Sequence, residues 1–108
     1  MMYVGLTNET VAASLALRDA SAAVGLLPLR IGLAAGPVVV RDGDYFGPVV
    51  NLASRLTEIA VPGEVLIPAA FRDELRPAAG IEVRFVPRGT HRLRSIGSVE
   101  VFALERSR

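Results

Sequence analysis

The sequence predicts an α+β domain, a mainly antiparallel sheet with helices packed on one face, of the ferredoxin-like kind. Three observations carry this. Helix-period and strand-period segments alternate along most of the chain. The last extended segments follow one another with no helix between them, as an antiparallel finish requires. With 108 residues, 51% of them apolar, the chain can bury one modest core, and no repeat, low-complexity tract or linker divides it.

Taken in order, Met1-Met2-Tyr3-Val4-Gly5 is a short apolar run stopped by glycine and reads as a strand. Thr7 or Asn8 caps the helix that follows through about Val24; its apolar face is Val11, Ala12, Leu15, Ala16, Ala22 and Ala23, and Gly25 ends it. Residues 28–40 read as one long strand, or two pieces kinked at Gly36-Pro37. Gly32 and Gly36 do not make a phosphate loop, because the spacing fits neither G-x-G-x-x-G nor the Walker pattern. Arg41-Asp42-Gly43-Asp44 is turn chemistry. Gly47-Pro48 is a loop-to-helix junction, since proline fits the first helical turn, and the helix runs over residues 48–60. Val61-Pro62-Gly63 breaks it, residues 64–67 form a short strand, and residues 68–75 a short helix with Pro68 in its first turn. Residues 81–87, 90–93 and 99–104 are extended segments joined by glycine turns, giving two terminal strands.

Composition excludes several functions. A formal charge of +1 selects no polyanion, and the absence of cysteine together with a single histidine rules out disulfides, thiolate metal sites and histidine-rich ones. All twelve basic residues are arginine. Arg84, Arg88, Arg92 and Arg94 form a basic run without an acid, read as a solvated strand face: no aromatic platform is interleaved to make it a nucleic-acid site. His91 reads as a turn or edge residue with no catalytic role. No apolar run reaches the roughly 18 residues of a membrane span, and the N-terminus lacks the pattern of a signal peptide. The expected location is the cytoplasm.

The chemistry is concentrated in residues 44–56. Asn51 and Arg55 are four apart and share a helix face, while Leu52, Leu56 and Ile59 form an adjoining apolar stripe; Asp44 lies just upstream in a loop. A carboxylate acceptor, an amide and a fork of N–H donors suit a base amine, a sugar and a phosphate. The spacing by itself more often marks a solvated polar face.

The linear pattern Asp44-Tyr45-Phe46-Gly47-Pro48-Val49-Val50-Asn51-Leu52-Ala53-Ser54-Arg55-Leu56 resembles the signature of class III nucleotidyl cyclases, the catalytic domain of adenylate and guanylate cyclases. Ala60-Val61-Pro62-Gly63-Glu64-Val65-Leu66 extends the resemblance, which reaches from Met1 to about Leu104. It implies that Asp44 contacts the adenine amine and that Asn51 and Arg55 act at the ribose and at the transition-state phosphate. An aspartate at the base-reading position resembles an adenylate cyclase, with ATP as substrate and cyclic AMP and pyrophosphate as products. Where the family carries an Arg-Leu-Lys-Gly type segment beside the triphosphate, this chain has Arg92-Leu93-Arg94-Ser95, so Arg94 stands in for a phosphate-binding lysine.

The resemblance also implies what lies elsewhere. The family's two metal-binding aspartates fall on a strand and hairpin preceding the segment matched by Met1-Met2-Tyr3-Val4, and its base-contacting lysine precedes residue 1 as well. Residues 1–108 are therefore expected to be the C-terminal part of the catalytic domain, an incomplete cyclase fold. The chain is expected to bind no metal alone, with Mg or Mn serving the intact domain, and to be inactive alone. Its implied partner is an identical chain or another cyclase catalytic domain, since the family's sites form between two domains. Three readings remain: a fragment of an adenylate cyclase, a non-catalytic cyclase-like partner or regulatory subunit, and an unrelated ferredoxin-like binding module.

Overall fold

The computed structural model describes residues 7–25, 28–35, 39–41, 44–74 and 83–107, with the side chains of residues 7–10, 39–41, 44–46 and 74 excepted. The strand expected at residues 1–5, the Gly36-Pro37 kink, the Asp42-Gly43 turn and the side-chain cap from Thr7 or Asn8 lie outside what is described. The element order is α1 (Thr7–Ala23), β1 (Ile31–Gly32), β2 (Val39–Arg41), β3 (Asp44–Phe46), α2 (Pro48–Ile59), β4 (Val65–Pro68), α3 (Ala69–Glu74), β5 (Val83–Leu93) and β6 (Gly97–Arg106).

Four strands form one sheet in the order β1-β4-β6-β5, and β2 pairs with β3 in a separate hairpin. The pairing of β1 with β4 is parallel, with Ile31 opposite Val65, whereas β4 with β6 and β6 with β5 are antiparallel. A parallel neighbour needs a crossover, and α2 supplies it. This is the expected α+β class with a mostly antiparallel sheet.

One expectation fails: the helices do not all share one face. Along β4, Val65 and Ile67 belong to one apolar cluster and Leu66 to another; along β6, Phe102 and Leu104 alternate with Val101 and Ala103 in the same way. Alternate residues of a strand point to opposite faces, so the clusters lie on opposite sides of the sheet. Val11 and Leu15 of α1 and Phe71 of α3 fill the first cluster, while Leu56 and Ala60 of α2 fill the second. The sheet is thus covered on both faces, and the run Val65-Leu66-Ile67-Pro68 is buried throughout, as a doubly covered strand requires.

Further corrections concern boundaries and faces. The buried side of α1 is Val11, Ser14, Leu15 and Ser21, whereas Ala12, Ala16, Ala22 and Ala23 are exposed. Alanine marks neither side of a helix, and two serines replace it on the inner one. Pro68 ends β4 rather than opening α3. Over the described residues, the segments expected at 81–87 and 90–93 are one strand, Val83–Leu93, with a register shift between Pro87 and Thr90 where a turn was expected at Gly89. The basic run does have an acid: Arg88 Nε donates to Glu64 Oε2 at 2.7 Å, and Glu64 Oε1 accepts the Val61 amide at 3.0 Å. His91 Nε2 lies 2.8 Å from the Arg88 carbonyl oxygen, beside the same irregularity. Arg106 Nε donates to Asp19 Oδ2 at 2.8 Å, tying β6 to α1. No described helix is long and apolar enough to cross a membrane.

Candidate active site

The site is built on α2, and local sequence explains where that helix begins and how it is held. Gly47 has φ 140°, which disfavours side-chain-bearing residues, and its carbonyl accepts the Val50 and Asn51 amides at 3.1 and 3.3 Å. Pro48 follows at the first helical position, where its missing N–H leaves no bond unmade. The helix closes with the Ala60 amide donating to the Leu56 carbonyl at 3.0 Å, and Pro62 prevents continuation.

Packing then fixes which face looks outward. Leu56 is fully buried, with Leu52 and Ile59 half-buried against the same cluster, which includes Leu66, Leu93, Val101 and Ala103. Beneath the helix Gly32 of β1 allows very close approach. A Cβ there would stand 2.4 Å from the Ala53 carbonyl oxygen and 2.6 Å from the Thr57 nitrogen. The helix backbone therefore lies almost directly on the strand.

With the apolar stripe down, Asn51 is exposed and Arg55 partly so, one turn apart on the outer face. The Arg55 side chain is only 25% exposed, and its Nη1 donates to Glu58 Oε1. Its Nε is buried with no acceptor among the described residues. Glu58 was not singled out from the sequence, although an Arg-Glu pair at i, i+3 on the Asn51 face was a legible signal.

Asp44 is not in a loop. It opens β3, paired in backbone register with Arg41, and β3 runs into Gly47 and adjoins α2. Arg94 is exposed in the tight turn joining β5 to β6, where the Ile96 amide donates to the Leu93 carbonyl at 3.1 Å and Ser95 has φ 67°. Leu93, immediately before it, packs in the cluster under Leu52 and Leu56, so the turn is anchored to the floor of α2. The structure thus sets Asn51 and Arg55 on one helix face, adds Glu58, places β3, which Asp44 opens, against that helix, and seats Leu93, the neighbour of Arg94, in the cluster beneath it. Among the described residues no three His, Cys, Asp or Glu side chains are grouped to hold a metal ion.

This chain belongs to the adenylate and guanylate cyclase catalytic domain family, whose model matches residues 7–106. It is 44% identical over 82 residues to the pH-sensitive adenylate cyclase MT1302 of Mycobacterium tuberculosis, covering 72% of this chain and 20% of that protein. Over 47 residues it is 57% identical to an adenylate cyclase of Streptomyces coelicolor, covering 44% of this chain and 12% of the relative. The chain therefore spans a fifth or less of the length of these relatives. Among solved structures, the adenylyl cyclase CyaB from P. aeruginosa superposes with a TM-score of 0.65 at 25% identity, over 96% of this chain and 62% of that one. An adenylate/guanylate cyclase/hydrolase from Silicibacter pomeroyi gives 0.73 at 22% identity, over 97% and 66%, and speaks for the fold alone.

Proposed function

We propose that this chain forms the base-, ribose- and phosphate-contacting side of an adenylate cyclase site, acting in the conversion of ATP to 3′,5′-cyclic AMP and pyrophosphate. The observation that carries the reading is the outer face of α2: an amide and a guanidinium one turn apart on a helix pinned to the sheet by Gly32 and Leu56. The names of the relatives support adenylate over guanylate as the nucleotide.

In this reading Asp44 accepts a hydrogen bond from the adenine amine, which an oxygen-bearing guanine could not offer at that position. Asn51 orients the ribose so that its 3′-oxygen faces the α-phosphorus. Arg55 donates to the oxyanions of the transferring phosphoryl group, where charge is redistributed in the transition state, and Arg94 adds positive charge beside the triphosphate. The bond formed joins the 3′-oxygen to the α-phosphorus; the bond broken releases pyrophosphate, and the hydroxyl proton leaves to a base.

Phosphoryl chemistry of this family uses Mg or Mn, and the described residues do not form a site for such a cation. The carboxylates that hold it belong to residues outside those described or to a partner chain. A homodimer or a pairing with another cyclase catalytic domain would complete the site, and the 108 residues by themselves are expected to be inactive.

The test is complementation. The chain is mixed with a cyclase catalytic domain whose own transition-state arginine has been replaced and whose metal carboxylates are intact, and cyclic AMP is measured. Rescue is expected, reduced roughly 10²–10³-fold in turnover by Arg55→Ala, as for loss of one oxyanion donor. Asp44→Ala should instead blunt discrimination between ATP and GTP. Rescue undiminished by Arg55→Ala would refute the assignment.

A further inference from the structure

We propose that Glu58 is a positioning residue for Arg55: it holds the guanidinium against α2 at rest and yields it when phosphate oxygens displace its carboxylate. The proposal rests on the reading of Arg55 as a phosphate-contacting group. Asn51, Arg55 and Glu58 stand at i, i+4 and i+7, within a narrow arc of one helix face, so Glu58 borders the same site. Its side chain is 55% exposed and makes an ion pair with Arg55 Nη1.

A guanidinium is a planar fork of five N–H donors that is best satisfied by bidentate acceptors. Here one terminal nitrogen is paired while Nε is buried with no acceptor among the described residues. A buried donor without a partner is an unfavourable state, and a guanidinium left in it has something to gain by moving. From its place one turn along the helix Glu58 meets only Nη1, whereas the oxygens of a bound phosphate can meet two nitrogens of the fork at once, so exchanging the carboxylate for phosphate improves the bonding of the whole fork. The exposed position of Glu58 makes the exchange inexpensive, since a partly solvated i, i+3 pair is weak. Glu58 thereby keeps a long cationic side chain ordered on the helix between turnovers and sets the threshold for its release.

The experiment uses the full 108-residue chain, with inorganic pyrophosphate as the probe and the Arg55 Nε–Hε resonance and calorimetry as readouts. Four proteins are compared: wild type, Glu58→Gln, Arg55→Ala and the double variant. Glu58→Gln is expected to sharpen the Arg55 resonance through freer motion and to tighten pyrophosphate binding by roughly twofold to fivefold, the worth of a partly exposed pair. The gain should vanish in the Arg55→Ala background, as a double-mutant cycle demands of a direct coupling. Equal affinity of wild type and Glu58→Gln, with binding still dependent on Arg55, overturns the role of Glu58 alone. A gain of the same size without Arg55 overturns it too, because surface charge would then be the cause. If Arg55→Ala leaves pyrophosphate affinity unchanged, the phosphate role of Arg55 falls and that of Glu58 falls with it.

Discussion

Replacing Gly32 by alanine tests the mechanical basis of the site. The new methyl would meet the Ala53 carbonyl oxygen at 2.4 Å, the Thr57 nitrogen at 2.6 Å and the Leu56 Cβ at 2.8 Å. None of these atoms lies at the end of a flexible side chain, so no change of rotamer relieves the overlap. Ordinary contact is about 3.5 Å, so α2 must lift by about 1 Å along the turn spanning Ala53 to Thr57. Lifting it loosens Leu56 and Ala60 from Leu66 and Val101. Overpacking of this kind costs about 1–3 kcal/mol, and rigid backbone on one side puts this case toward the upper end; about 0.4–1 kcal/mol returns through the less flexible unfolded chain. A net loss near 2 kcal/mol corresponds to roughly 8–16 °C in Tm for a domain of this size. Urea unfolding followed by far-ultraviolet circular dichroism should show a lower midpoint with an unchanged slope. In the complementation assay turnover should fall further than stability explains, by up to about 10²-fold, because Asn51 and Arg55 move with the helix. An alanine variant within 0.5 kcal/mol of wild type, a threshold below the expected overpacking cost, would show that α2 does not rest on β1 in this way.

The Arg106 guanidinium holds the Asp19 carboxyl below its usual value of 3.8 against the opposing effect of burial, and Arg18 adds to the lowering. A depressed carboxyl stabilises the fold fully above its unfolded pKa, and that contribution is lost as pH falls through the folded one. Asp19→Asn should therefore flatten the acid limb of the stability profile below about pH 4 while changing little at neutral pH beyond a salt-screened surface effect. Glu64→Ala takes the acceptor from the exposed Val61 amide and frees Arg88, and should cost about 0.5–1.5 kcal/mol in chemical denaturation; Arg88→Ala should cost less, since Glu64 keeps its amide partner. The purified chain incubated with ATP and Mg or Mn should produce no cyclic AMP above a heat-killed control, because the described carboxylates are not grouped for a cation. Product above that control would place the missing ligands within the chain.

What could be read in advance depended on whether the signal was local. Gly47-Pro48 and Val61-Pro62 bracket α2 to within a residue, because φ preference and a missing N–H act on the nearest turn. The apolar stripe of Leu52, Leu56 and Ile59 was legible for the same reason. Gly89 punctuates the sequence as a turn would, yet pairing with β6 over both flanks makes it part of an irregular strand, and only the partner strand decides that. The second covered face was legible in principle, since Val65-Leu66-Ile67 is continuously apolar rather than alternating. The Glu64–Arg88 pair, 24 residues apart, had no such local signature.

The position of β6 has a consequence for the order in which the protein can be built. The floor beneath α2 is drawn from Leu66, then Leu93, Val101 and Ala103, so most of it is synthesised long after the helix itself. During translation α2 has only β1 beneath it, while Leu52, Leu56 and Ile59 still lack most of their apolar partners; a helix of 12 residues is marginal in water without such support. The β5–β6 hairpin closes locally across Leu93 and Gly97 and can form as soon as it emerges. Seating of α2 is therefore a late event, gated by the arrival of the last strand. A frameshift or stop near residue 100 would disable Asn51 and Arg55 without altering either of them, by removing Val101 and Ala103 and with them part of the floor on which their helix rests.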